Sequence, residues 1–365
     1  MAEAKLLCIF TTVLGHRTVV DKFAEALGRV KGIHPAYVFV GAEDRAKYPV
    51  PWWARLTDPW EAEFVARRAA RQAINQEFDL LLVNAWELVV AFQDLARRVP
   101  SAAWLDSVPA TVNAQLRERG VTGWKRWLSH RVHHRSFARA VREFDLFLPK
   151  ASECAEALHR DYGIERERCY ITLAPQRLDS WAPVARTYSR PIRLLFVGND
   201  FARKGGDFLL RLYSEHLLGV CTLTIASNDS AVGARTLPAG VEWLRGRNSV
   251  QLVEVYRNCD VFVFPTQHDH APEVVAEALA AGLPCLVTGV NGVRDFVRDG
   301  ENGFVMPRDG STESWAARLL PLIANPAELR RMSECARRFA EENLDFNHFS
   351  ELIAEVVERL RRVRG

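Results

Sequence analysis

The sequence lacks the marks by which several protein classes declare themselves. Its seven cysteines, Cys8, Cys154, Cys169, Cys221, Cys259, Cys285 and Cys335, are odd in number, scattered and free of any Cys-x-x-Cys pair. That pattern excludes a disulfide or zinc framework and reads as buried thiols in a reducing compartment. No stretch approaches the roughly 20 apolar residues of a membrane-spanning helix. The opening MAEAKLLCIFTTVLGH has too short an apolar run, too soon followed by charge, for a signal peptide. A cytoplasmic location is therefore expected. Charge of one sign is also scarce: a formal net charge of +3 gives no mandate for nucleic acid, and no nucleic-acid partner is expected. Neither Gly-x-Gly-x-x-Gly nor a Walker loop occurs, which argues against a dinucleotide oxidoreductase and a P-loop enzyme.

What is present is material for two cores. The chain has 365 residues, 48% of them hydrophobic and 25% charged, more than one core usually serves. Short apolar runs (LLCIF, AYVFV, DLLLVNA, AAWLD, FDLFLP) alternate with helix-length stretches in the first half. The pattern restarts at IRLLFVG and continues through CTLTIA, VEWL, DVFVFP and LPCLVTG. Such alternation predicts α/β units with mostly parallel sheets. The proline-rich stretch from Pro175 to Pro191 is the expected linker. The expected domains are residues 1–180, joined by a helix over 345–365, and residues 188–344. Open sheets of this kind bind ligands beyond the carboxyl ends of their strands.

Two strand ends carry the most suggestive chemistry. In VFVFPTQHDHAPEVVAEALAAGLP a buried strand ends at Pro265, and Pro272 suits the first turn of the helix that follows. The first-turn N–H groups of Glu273, Val274 and Val275 would suit a phosphate or sugar hydroxyls. Asp269 and Glu277 offer carboxylates to hydroxyls on the same wall; the alternative is that Asp269 caps the helix and Glu277 is solvated. In LLFVGNDFARKGGDFLL, Arg203 and Lys204 stand between a strand ending at Gly198 and a helix entered through Gly205 and Gly206. Two cations there can neutralise a diphosphate leaving group, or belong to a solvated turn.

These motifs resemble the retaining GT-B glycosyltransferases of family 4. The signature there is an acidic residue, a fixed spacer, Glu, and a small-residue run ending Gly-Pro; Asp269, Glu277 and ALAAGLP fit it, as do GVNGV and DGENGF. The resemblance implies two Rossmann-like doubly wound domains facing a central cleft, the first binding acceptor, the second donor, with the last helix crossing back onto the first. It implies that Asp269 meets the donor sugar and Glu277 the ribose. Lys204 and Gly205 match the family's phosphate-binding pair; Asn199 stands where an arginine is usual, with Arg203 as its substitute. Arg247, Asn248 and Val250 fall where main-chain groups embrace the nucleobase. Gly15, beside His16, occupies the place of a glycine-rich loop, though a lone turn glycine reads the same way. Asp106 stands where many members have a cleft-facing His, and is either an acceptor-site residue or a loop cap. Asn84 and Trp86 are similarly placed, with a packed Trp as the alternative.

The implied activity is that of a hexosyltransferase-type enzyme (EC 2.4 class), moving a sugar from a nucleotide-diphosphate-sugar to a saccharide or lipid-linked acceptor. The leaving diphosphate serves as base, with no protein nucleophile, no cofactor and no metal. A nucleotide-sugar epimerase of the same fold and a non-catalytic nucleotide-sugar-binding protein are the competing readings. Separately, the basic segment 117–143 interleaves Trp124 and Trp127 with Lys125, Arg126, Arg131 and Arg135. It suits peripheral contact with an anionic membrane face, or is a solvated basic helix packed by its aromatics. His130, His133 and His134 are crowded among cations and are not expected to bind metal.

Overall fold

The computed structural model describes residues 3–12, 16–48, 58–71, 73–118, 123–181 and 184–363. The chain divides into two compact units, Met1–Thr172 with Asn347–Gly365, and Leu173–Phe346.

The first unit is built on five parallel strands, β1 (Ala4–Thr11), β2 (Ile33–Val40), β3 (Leu80–Asn84), β4 (Ser101–Leu105) and β5 (Leu146–Pro149), in the order β2-β1-β3-β4-β5. Strands β3, β4 and β5 are buried at every position, as uninterrupted apolar runs require when helices cover both faces. Pro35 lies in β2, an edge strand, where a missing N–H costs least. Between the strands come α1 (His16–Gly28), α2 (Ala42–Lys47), α3 (Asp58–Ala69), α4 (Trp86–Ala91), α5 (Gln93–Ala96), α6 (Pro109–Glu118), α7 (Trp124–Ala140) and α8 (Ser152–Tyr162).

The second unit has six parallel strands, β6 (Ile192–Val197), β7 (Cys221–Ala226), β8 (Val241–Leu244), β9 (Val261–Phe264), β10 (Cys285–Thr288) and β11 (Gly303–Met306). Their order is β11-β10-β9-β6-β7-β8. Its helices are α9 (Gly206–Leu212), α10 (Ser249–Arg257), α11 (Glu273–Ala280), α12 (Thr312–Ile323) and α13 (Pro326–Asn343). The last helix, α14 (Phe346–Val363), closes the chain and belongs to the first unit from Asn347 onward, with Phe349 edge-on to Phe23 at 5.6 Å. The pattern reading names no strand at β11.

The expected linker is part of the second core. Leu178, Trp181 and Tyr188 are buried, and Trp181 meets the Tyr256 ring edge-on at 5.4 Å. Arg186 donates to the carbonyls of Cys259 (2.8 Å), Ala281 (2.9 Å) and Gly282 (3.4 Å), while Arg337 donates to those of Trp181 (2.7 Å) and Ala280 (2.8 Å). Two guanidinium groups thus satisfy the orphan carbonyls closing α11 and oppose the negative end of its dipole. The orientation of α11, which carries Glu273 and Glu277, depends on them.

Candidate functional site

In the second sheet the strand order reverses at β6, which has β7 on one side and β9 on the other. The crevice beyond β6 and β9 is therefore where ligands are expected to bind. The turn after β6 backs directly onto the end of β9. Gly205 has φ +81°, and a Cβ there would lie 1.8 Å from the Pro265 carbonyl oxygen. Only glycine permits that approach. The Gln267 N–H donates to the Arg203 carbonyl at 2.9 Å, sealing the two loops together.

This junction joins the charged candidates. Arg203 donates through Nη1 to the His268 carbonyl (2.7 Å) and through Nε to Asp200 (2.7 Å). Lys204 Nζ lies 3.6 Å from Asp269 Oδ2, and Arg203 Nη1 lies 3.9 Å from the same oxygen. These are ion-pair distances beyond hydrogen-bond reach, and Oδ2 accepts no hydrogen bond among the described residues. Lys204 also sits 5.4 Å over the Phe264 ring, in a setting only 17% exposed at both Lys204 and Asp269. Lys204, held between an aromatic face and a carboxylate at 3.6 Å, keeps much of its attraction for an added anion, whereas Arg203 is already paired with Asp200.

Asp269 does not cap α11. Pro272 is the cap residue, one place before the helix, and Glu273 opens it, with Val274 half-buried and Val275 buried. The Val275 N–H returns to the Pro272 carbonyl at 3.1 Å. Glu273 accepts from the Gln176 amide at 3.3 Å. Glu277 Oε2 accepts from the Tyr256 hydroxyl at 2.8 Å. Burial, and then the Glu277 charge, hold that phenol well above its usual range, so it stays a donor.

Other candidates serve the chain's own backbone. Asn199 accepts from the Asn228 N–H at 2.9 Å, and Asn228 from the Gly246 N–H at 2.7 Å, tying together the turns after β6, β7 and β8. Asn248 caps α10 in a reciprocal box with Gln251, a pairing the Asn-x-x-Gln spacing announces. Val250 is 75% exposed. Arg247 lines a groove of about 750 Å³ between β7, β8 and α10, together with Thr222, Thr224, Gln251 and Glu254; Lys204, Asp269 and Glu277 take no part in it.

In the first unit, Gly15 lies outside the described residues. Asp106 accepts from the neighbouring Ser107 hydroxyl at 3.2 Å. Asn84 is spent on Thr11, accepting from its N–H at 2.6 Å and donating to its carbonyl at 3.2 Å. Trp86 is packed, 5.5 Å from the His133 ring and 6.4 Å from Phe137. Burial, with His130 nearby, pulls His133 down to about 4. On α7, Trp124 (71%), Trp127 (53%) and Leu128 (49%) are exposed, followed by exposed Arg131, Arg135 and Arg139 at helical spacing, with Arg131 4.8 Å over the Trp127 ring. Among the described residues no helix is long and apolar enough to cross a membrane, and no three His, Cys, Asp or Glu side chains form a metal-ligating group.

Sequence reasoning missed Tyr256, and the contact between His268 Nε2 and Arg308 at 2.9 Å. Position beside Asp269 was the only available signal for His268.

Comparison with known proteins places this site in a family context. Residues 179–339 match the family described as Glycosyl transferases group 1, a span that holds both loops and α11. The chain is 28% identical over 241 residues to the D-inositol 3-phosphate glycosyltransferase of Rhodococcus erythropolis, covering 60% of this chain and 54% of that protein. The enzyme of the same name from Nocardia farcinica is 28% identical over 302 residues, 75% of this chain and 64% of its own length. The chain thus spans about half the length of the first of these relatives. Among solved structures, the sucrose-phosphate synthase of Thermosynechococcus elongatus superposes with a TM-score of 0.79 at 15% identity, covering 98% of this chain and 99% of that one. Anabaena HepE in complex with UDP and glucose gives 0.73 at 13%, covering 98% and 100%. The fold is GT-B, and residues 179–339 form a Glycosyl transferases group 1 domain in a chain similar to glycosyltransferases.

Proposed function

We propose that the chain is a glycosyltransferase of the family 4 type, moving a hexosyl group from a nucleoside-diphosphate sugar to a saccharide or lipid-linked hydroxyl with retention of anomeric configuration. The observation that carries this reading is the pairing of Lys204 and Arg203 with Asp269 at the β6–β9 switch of a group 1 domain. As the acceptor oxygen bonds to the anomeric carbon, the bond from that carbon to the diphosphate breaks. The acceptor proton passes to the departing diphosphate, so no protein nucleophile is required. Lys204, Arg203 and the first turn of α11 stabilise the charge growing on the leaving group. Asp269 accepts from donor-sugar hydroxyls, and Glu277, fixed by Tyr256, accepts from ribose. Because fixed cations supply the neutralisation, the reaction proceeds without a metal. The exposed tryptophans and arginines of α7 fit an anionic lipid surface and suit a lipid-linked acceptor at the inner membrane face.

The test is release of nucleoside diphosphate from a panel of nucleotide sugars, with and without EDTA, for the wild type and Lys204→Ala. One donor should be turned over regardless of chelator. Lys204→Ala should be slower by about 100-fold or more, the size expected for loss of one preorganised charge contact. An epimerised sugar without release of diphosphate would contradict the proposal, as would binding without turnover when saccharide and lipid-linked acceptors are supplied.

A further inference from the structure

The loop between Pro265 and Pro272 is held from both sides. From the turn after β6, Arg203 donates to the His268 carbonyl at 2.7 Å. From the turn after β11, Arg308 approaches His268 Nε2 at 2.9 Å. The imidazole between them is 4% exposed. The backbone of His268 is held a second time, its carbonyl accepting from the Thr266 hydroxyl at 3.0 Å. A guanidinium can only donate, so Nε2 must be the acceptor and the ring proton must sit on Nδ1. Arg308 meets the ring and Arg203 the carbonyl, and Arg203 in turn lies with Asp200, Lys204 and Asp269 in one charged cluster. Through His268, Arg308 is thus joined to the loop that carries Asp269 beside Lys204.

We infer that His268 is a positioning residue and Arg308 a third cation of the diphosphate site, the neutral imidazole holding Arg308 beside the loop that carries Asp269. This rests on the transferase reading and extends it to the turn after β11, which the phosphate-binding motifs do not include. The side chain follows from the geometry: position 268 must accept at the far end of a flat group of fixed reach. Glutamine can imitate that acceptor, because its Oε1 falls near the place of Nε2, and leucine cannot. Loss of the acceptor removes this hold on Arg308 and one of the contacts on the loop that carries Asp269.

The experiment is calorimetric titration of UDP, GDP and ADP into the wild type, His268→Gln, His268→Leu and Arg308→Gln, with melting recorded without ligand. For the diphosphate that the wild type binds, His268→Leu and Arg308→Gln should each weaken binding about tenfold or more, the worth of a charge-assisted hydrogen bond. His268→Gln should stay within about threefold, and all melting temperatures should remain close together. Equal binding by wild type and His268→Leu would overturn the inference while leaving the transferase reading intact. Equal weakening in His268→Gln and His268→Leu, with melting lowered in both, would reduce His268 to packing and also overturn it. If the wild type binds none of the three diphosphates, the proposed function fails and the inference with it.

Discussion

The two units repeat one construction and use it differently. In each, the chain starts in a central strand and the strand order reverses beside it, at β1 and β3 in the first unit and at β6 and β9 in the second. At the first switch the polar side chain is spent on the backbone: the Asn84 amide closes on both polar groups of Thr11. At the second, Lys204 Nζ and Asp269 Oδ2 stand 3.6 Å apart, too long for a hydrogen bond and too close to be indifferent, while Arg203 beside them is already bonded at 2.7 Å to Asp200 and to the His268 carbonyl. A strand end can be polar because its own loop needs it or because a ligand will. The distance to the nearest partner separates the two cases, where residue type does not.

The largest effect should come from breaking the loop junction that makes the second switch. In Gly205→Ala, the added methyl would meet the Pro265 carbonyl at 1.8 Å in a left-handed backbone. The expected cost is about 3 kcal/mol or more, read as a fall in melting temperature together with loss of diphosphate binding. A variant that melts and binds like the wild type would remove the reason given for the approach of the two loops.

A smaller effect sharpens the comparison from the other side. His133 belongs to the first unit, and burial lowers its folded value to about 4 from an ordinary 6.5. The unfolded chain therefore takes the proton first. Stability from this group is complete above about pH 6.5 and is lost as the pH falls towards 4, by at most about 3 kcal/mol. His133→Leu should flatten that part of the melting-versus-pH curve. A mutant curve parallel to the wild type across this range would contradict the assignment.

Much of the fold was legible because strands of a covered parallel sheet leave short apolar runs, clearest at VFVF, and five of the six strands of the second unit can be named from the sequence, including VEWL, which is not buried at any position. GFVM cannot: it follows the turn-rich DGEN, is four residues long and has Phe304 and Val305 only half-buried. Proline density from Pro175 to Pro191 suggested a linker, yet Trp181 and Tyr188 bury into the core and Arg186 binds helix ends. The described residues of that stretch pack against the core and do not mark a hinge of few contacts. At the site, Lys204, Asp269 and Glu277 could be found by spacing along one or two loops. Tyr256 and Arg308 could not, since they meet Glu277 and His268 from α10 and from the turn after β11 through topology alone. Asn199 and Asn248 are candidates through the family resemblance alone; the turns they sit in consume their side chains, which leaves for Asn248 the main-chain contact that the resemblance implies.

The central claim is that donor binding belongs to the β6–β9 switch of the second unit. Hydrogen exchange in the presence of a saturating nucleoside diphosphate tests it most directly. Protection concentrated in residues 198–206 and 266–277, lost in Lys204→Ala, is the predicted result. Protection confined to the strand ends of the first unit, or to the groove under α10, would contradict it.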